Sequence, residues 1–237
     1  MIPTNNTIPY TARPWATLSI VGLCVAAFLY QMSLSQQAAE TFLTHYALVP
    51  ARYTGSAWAE THGVARFDLT PVITSMFLHG GILHIASNLW TLWVFGPALE
   101  DRLGSGRFVL LYLLSGIAAA VVHVIFNFSS AVPTLGASGA IAGVIAAYAR
   151  RFPYAWVNIL QPIAFIPIFF MMPALAFAVS GSSPRSCRRR ARSRCRRARA
   201  ASPGGRTSAA SLPDGFFCAG QPRLRIRWKK PTLRPAR

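Results

Sequence analysis

Apolar residues in this 237-residue chain gather in long blocks separated by short polar stretches. A bilayer core takes about 20 apolar residues to cross as a helix, and only a helix or a closed barrel satisfies the backbone there. The blocks predict membrane helices at residues 15–34, 71–99, 108–126, 138–148 and 157–179. Trp15 and Tyr30 stand near the ends of the first as interfacial anchors. The last is interrupted by Pro162, Pro167 and Pro173, each of which removes a helix hydrogen bond that neighbouring helices must replace. Residues 35–70 form a mixed connection that contains the stretch Tyr46-Ala47-Leu48-Val49-Pro50-Ala51-Arg52. A connection that long is functional or partly embedded. Residues 100–107 make a charged turn, and residues 127–137 a short polar loop holding Pro133. The predicted fold is all-α, a polytopic membrane helix bundle with five helices recognisable.

Composition supports a membrane protein: 53% of residues are hydrophobic and the mean hydropathy is +0.37. The net charge of +18 suggests a nucleic-acid partner until it is mapped. Residues 1–180 hold seven basic and five acidic side chains, whereas residues 181–237 hold seventeen basic ones against Asp214 alone. The charge belongs to the tail, so membrane lipid is the expected surroundings of the body and no nucleic acid is expected. Arginines cluster after the second and fourth helices, which places both turns, and the segment 1–14, on the cytoplasmic side of the cell membrane. The first block is too long for a signal-peptide core and reads as a retained helix. Cys24, Cys187, Cys195 and Cys218 show no paired spacing, so neither a disulfide nor a metal site is expected.

Two stretches carry chemistry. In Leu135-Gly136-Ala137-Ser138-Gly139-Ala140-Ile141-Ala142-Gly143, a hydroxyl stands where a loop turns into an apolar helix. Unpaired N–H groups and the helix dipole would stabilise negative charge beside Ser138, and Gly136 and Gly139 would let a substrate backbone approach. The same glycines also fit the small-xxx-small pattern by which membrane helices pack. The second stretch puts His79, His84 and Asn88 in an apolar run. Ionisable groups there are costly and by default functional. His84 and Asn88, four apart, share a helix face and can aim donors at one place. They would otherwise be hydrogen-bonded core residues. With no cysteine or carboxylate on that helix to complete a ligand set, no metal or other cofactor is expected.

With His79, His84 and Asn88 at H-x4-H-x3-N spacing, the turn at residues 100–106, Gly136-Ala137-Ser138-Gly139 opening the fourth helix, and Tyr46 to Arg52 in the first connection, the chain resembles the rhomboid family of intramembrane serine proteases over residues 10–178. The resemblance implies a six-helix bundle and single-pass transmembrane proteins as substrates. It implies Ser138 as nucleophile and an oxyanion hole of the His84 ring, the Asn88 amide and the Ser138 backbone N–H. His79 would be a structural partner of the first connection, with Gly136 and Gly139 shaping the loop.

The resemblance stops at the sixth helix, where the family carries its general-base histidine in a stretch like Ala-His-Ile-Gly-Gly. The last histidine here is His123, and nine arginines lie between Arg185 and Arg199. Reading codons for Ala201 to Ser211 from their third bases, with the serines and Arg206 in four-fold boxes, the alternative frame can encode Val-Ala-Trp-Trp-Ala-His-Ile-Gly-Gly-Phe. Residues 180–237 therefore read as a basic, frameshifted or disordered tail behind a membrane domain at residues 15–179. The resemblance thus implies a rhomboid-type protease that, as written, lacks its base and final helix, and the alternative is a dead relative that binds transmembrane clients. A membrane-tethered basic module, with the tail as its working part, is the third reading.

Overall fold

The computed structural model describes residues 1–163 and 166–181. Its elements run β1 (Ile2–Asn6), α1 (Trp15–Ser33), α2 (Gln36–Tyr46), α3 (Pro50–Thr54), α4 (Ser56–Thr61), α5 (Thr70–Thr74), α6 (Ile82–Leu103), α7 (Ser105–Phe126), α8 (Ser138–Arg151), β2 (Trp156–Ile163), β3 (Ile166–Pro173) and α9 (Ala174–Gly181). Helices α1, α6 and α7 are long and apolar enough to cross a membrane. They and α8 form a helical membrane bundle, with α6 packed on α1, α7 and α8, and α7 on α8.

Helices α1 and α7 show the one-sided burial that lipid-facing helices need, whereas α6 is buried all round from Val94 to Glu100. On α1, Ala16, Thr17, Ile20 and Cys24 are buried at helical spacing, while Leu18, Leu23, Val25, Leu29 and Met32 face outward. Helices α6 and α7 are joined through Gly104 alone, whose φ of 79° a side chain would strain. Helix α8 runs parallel to α6: Gly136 lies against His84 at one end, and the Phe95 and Tyr148 rings meet at 5.0 Å towards the other. The core between them comprises Leu92, Phe95, Leu99, Phe108, Tyr112, Val144 and Tyr148, all almost wholly buried. Small residues set two close approaches. A Cβ at Gly143 would collide with the Ser115 side chain of α7, and one at Gly96 would stand 2.9 Å from the Thr17 hydroxyl of α1. Gly143 thus serves the helix packing that its spacing allowed.

Helix α1 begins after Pro14 without a cap of its own. Glu100, near the end of α6 and 3% exposed, supplies one from another helix. Its Oε1 accepts from the Ala16 N–H, its Oε2 from the Thr17 N–H, each at 2.8 Å, and the hydroxyls of Thr17 and Ser105 complete the shell at 2.8 and 2.7 Å. One carboxylate therefore pins the start of α1, the end of α6 and the start of α7. Arg13, Arg102, Arg107, Arg150 and Arg151 lie at this same end of the bundle.

Two expectations need correction. The second predicted helix, residues 71–99, is divided: α5 stops at Thr74 and α6 starts only at Ile82. Gly80 and Gly81 give up helical backbone there, and the His79 backbone is taken by α1 instead, its N–H donating to Gln31 Oε1 at 3.1 Å and its carbonyl accepting from Gln31 Nε2 at 3.4 Å. The fifth predicted helix, residues 157–179, is replaced by strands β2 and β3 and the short α9, so the described residues hold four of the five expected helices and a three-stranded antiparallel sheet ordered β1-β2-β3. Three prolines within twelve residues delete helix bonds, and the β-branched and aromatic residues between them favour strands. Pro162 pairs with Pro167, at the turn end of the hairpin. β1 completes the sheet beside α6, where Trp90 Nε1 donates to the Pro3 carbonyl at 2.6 Å and the Asn6 amide donates to the Val94 carbonyl. The sixth helix, the arginine run and the alternative-frame stretch fall outside the described residues.

Because Glu100 satisfies two N–H groups at the start of α1 and the hydroxyls of Thr17 and Ser105, Glu100→Ala is expected to cost about 2–4 kcal/mol of stability, the range for stranding partners of a buried charge. The neighbouring carboxylate Asp101 accepts a single exposed bond from the Ala12 N–H, and Asp101→Asn should stay within about 0.5 kcal/mol. Unfolding of both variants in one detergent measures the difference.

Candidate active site

Ser138 is the first residue of α8, after Ala137, and half-buried. The loop that delivers it is held from three places. The Leu48 N–H donates to the Thr134 carbonyl at 3.0 Å and the Thr134 N–H to the Leu48 carbonyl at 2.8 Å, an antiparallel bridge from the first connection. The Ala51 N–H donates to the Ser130 carbonyl at 3.0 Å. The Gly136 N–H donates to the Ser75 carbonyl at 2.8 Å.

These bonds press the loop against the start of α6. Gly136 has a φ of 128°, and a Cβ on it would stand 2.7 Å from His84 Cε1, 2.8 Å from His84 Nε2 and 3.6 Å from Asn88 Nδ2. Any side chain there would be excluded both by conformation and by contact. His84 and Asn88, one turn apart on α6, therefore meet the backbone two residues ahead of Ser138. Both are buried, at 6% and 8% exposure.

Their hydrogen bonding defines what they offer. The Gly80 N–H donates to His84 Nδ1 at 3.4 Å, which assigns the neutral ring's proton to Nε2. His84 Nε2 and Asn88 Nδ2 are both buried without a hydrogen-bond partner among the described residues. Two N–H donors thus converge beside Gly136 with nothing to donate to, where buried donors are otherwise almost always satisfied. Such a pair can receive an oxygen carrying negative charge. Ser138, Gly139, His84 and Gly136 line one cavity of about 240 Å³, together with His123 and Thr134.

A sequence profile for the Rhomboid domain matches residues 66–186, half of the chain. This chain belongs to the rhomboid family. The Rhomboid protease GluP of Bacillus subtilis is 42% identical over 84 residues, 35% of this rhomboid and 16% of that protein. The mitochondrial RHOMBOID-like protein 6 of Arabidopsis thaliana is 27% identical over 166 residues, 70% of this chain and 53% of its own. The mitochondrial Presenilin-associated rhomboid-like protein of Homo sapiens is 32% identical over 102 residues, 42% and 26% of the two chains. The matched part thus spans at most about half the length of these relatives.

Of the residues singled out from sequence, the structure brings Ser138, Gly139, His84, Asn88 and Gly136 to one place. His79 stands beside them, its ring edge-on to His84 at 5.2 Å and 69°. Its hydrogen bonds run to Gln31 of α1 and to the Phe77 carbonyl, not to the first connection. Gln31 and Ser75 were invisible as site residues, since each acts through backbone groups of a distant segment. An amide inside an apolar run was the available signal for Gln31.

The first connection is itself tied down by Arg52, 2% exposed. Its guanidinium donates to the Ala65 carbonyl at 2.9 Å, the His45 carbonyl at 3.1 Å and Asp68 Oδ2 at 3.0 Å. Asp68 is held below its ordinary value first by hydrogen bonds from Thr70 and then by the Arg52 charge. A carboxylate with a depressed folded-state value stabilises the fold above its unfolded value of 3.8, and that contribution is lost as pH falls through the lower folded value. Amide exchange of residues 46–54 should therefore be flat from pH 7 to about pH 5 after correction for intrinsic rates. It should accelerate below about pH 4. Asp68→Asn should show the accelerated rate already at neutral pH.

Proposed function

We propose that this rhomboid is built as an intramembrane serine endopeptidase of the cell membrane that acts on single-pass transmembrane proteins. The observation that carries the reading is the pair of buried, partnerless donors, His84 Nε2–H and Asn88 Nδ2–H, converging on the backbone just ahead of Ser138. In this reading Ser138 Oγ attacks the scissile carbonyl. The oxygen that becomes negative is held by those two donors and by the Ser138 N–H at the start of α8, each donor worth roughly 3 kcal/mol of barrier. Depth supports a substrate inside the membrane. The 14 residues of α8 rise about 21 Å, against a hydrocarbon core of about 30 Å. With Arg150 and Arg151 at one surface, Ser138 lies about 10 Å beneath the other. A substrate helix has to unwind there to present a carbonyl, which favours segments with small or helix-breaking residues.

The proton leaving Ser138 needs an acceptor. His84 Nδ1 is already turned to the Gly80 N–H, and the chain holds no histidine after His123. A serine without a base is a weak nucleophile. That absence favours a second reading, a client-binding protein that holds transmembrane helices without cutting them.

A fluorophosphonate probe and a reporter single-pass substrate separate the two. The chain as written is expected to label and cleave at least 10³-fold more slowly than a working protease, because a nucleophile and its base act as a unit. The chain with the alternative frame restored upstream of codon 201 is expected to label at Ser138 and to cleave. Both activities should vanish in Ser138→Ala, whereas Asn88→Ala should lower cleavage by 10²–10³-fold as one lost oxyanion donor. A correctly inserted, frame-restored chain inert to probe and substrates alike would leave the client-binding reading. Fast Ser138-dependent cleavage by the chain as written would show that His79, His84 or another group of this chain supplies the base.

A further inference from the structure

The polar groups that line the cavity beside Ser138 fall into two sets. His84 and Ser138 belong to the attack on a carbonyl. His123 of α7, with Thr134 and Ser130 of the loop ahead of Ser138, has no part in it. Met76, Gly116, Ala119 and Ala120 supply apolar wall, and a Cβ at Gly116 would run into Met76 Sδ. Among the described residues no lysine, arginine or carboxylate lines the cavity.

The second set is ordered from outside the cavity. Asn127, which follows α7, donates from Nδ2 to the His123 carbonyl at 3.1 Å and meets His123 Nδ1 at 3.4 Å. A carbonyl can only accept, so this nitrogen is correctly placed and Nδ1 is the acceptor of the ring. The proton of the neutral ring is then on Nε2, which donates to Thr134 Oγ1 at 2.9 Å. Both backbone groups of Thr134 are taken by Leu48. Its hydroxyl proton is left for an occupant of the cavity, and bonds that run in one direction along a chain strengthen the last donor. Ser130, whose Oγ accepts from the Val132 N–H at 3.3 Å, adds a second hydroxyl to the lining.

An aliphatic side chain placed here would leave these hydroxyls unpaired. A carboxylate would be a charge at membrane depth with no cation to meet it. A neutral amide answers both objections, since its oxygen accepts from Thr134 and its nitrogen gives hydrogen bonds back to hydroxyl lone pairs. The volume of about 240 Å³ admits a side chain of asparagine's size, because a cavity of roughly 150 Å³ already takes benzene. Asparagine also has a low helix propensity and so helps a segment to unwind. We propose that the cavity selects transmembrane segments carrying an asparagine in the unwound stretch beside Ser138, recognised by the Thr134 hydroxyl with His123 and Asn127 behind it. This rests on the Ser138 cavity being where a transmembrane segment is held, and it applies whether the segment is cut or only bound.

The affinity of the full chain in detergent for fluorescent single-pass peptides tests this without relying on cleavage. The peptides are identical except for one asparagine, or one leucine of similar shape, moved in turn through the outer half of the segment. At one position the asparagine-to-leucine affinity ratio is expected to be about tenfold higher for the chain than for Thr134→Val, as for one hydrogen bond between neutral groups. The peptide's own cost of carrying an amide cancels in that comparison. His123→Phe should lower the ratio as well, and Thr134→Ser, which keeps a hydroxyl, should retain it. A ratio unchanged by Thr134→Val at every position, or lost in Thr134→Ser, would overturn the proposal. Peptides held equally well with either residue would overturn it alone and leave the holding of segments intact, whereas failure of every peptide to bind would overturn both.

Discussion

The loop carrying Ser138 has no ladder of its own, and its backbone is satisfied by other segments: Leu48 and Ala51 from the first connection and Ser75 from the approach to α6. Those bonds force Gly136 onto His84 at distances that no side chain tolerates, with the Asn88 amide beside it. Near a bilayer an unpaired backbone group costs several kcal/mol, so the loop cannot drift from its partners without loss. The long first connection is thereby explained. Its buried Arg52 closes residues 45–68 on themselves, and the closed connection offers Leu48 to Thr134.

The opposite end of the bundle is organised by charge. Glu100 replaces the cap that Pro14 cannot provide and joins three helix ends, while Gly96 lets Thr17 reach the carboxylate. The last turn of α6 is thus tied to α1 and α7, while its first two turns carry His84 and Asn88. The donors beside Gly136 are buried and unsatisfied, a cost that the packing of Leu92, Phe95, Tyr112 and Val144 has to carry.

The small residues around Ser138 divide between two purposes that one motif could not separate. Gly136 clears space for imidazole and amide, whereas Gly143 clears space for Ser115 and hence for the α7–α8 contact. A spacing pattern reports that a residue is small, not what approaches it.

The sequence by itself determined the helical membrane bundle, the position of Ser138 at a helix start, and the shared face of His84 and Asn88, because block length and the 3.6-residue period are local properties. It also determined the family, through two motifs in order. Only the tertiary structure decided the rest. The break before Ile82 depends on Gln31, 48 residues from His79. The helix predicted over residues 157–179 became β2, β3 and α9 because β1, at the far end of the chain, pairs with β2; prolines signalled a weak helix, but no local rule names the partner. The cap on α1 comes from Glu100, 84 residues away, and the donors of α6 acquire a purpose only where Gly136 is pressed against them. Satisfying buried polar groups is a condition on the whole fold, and it is where local reading ends.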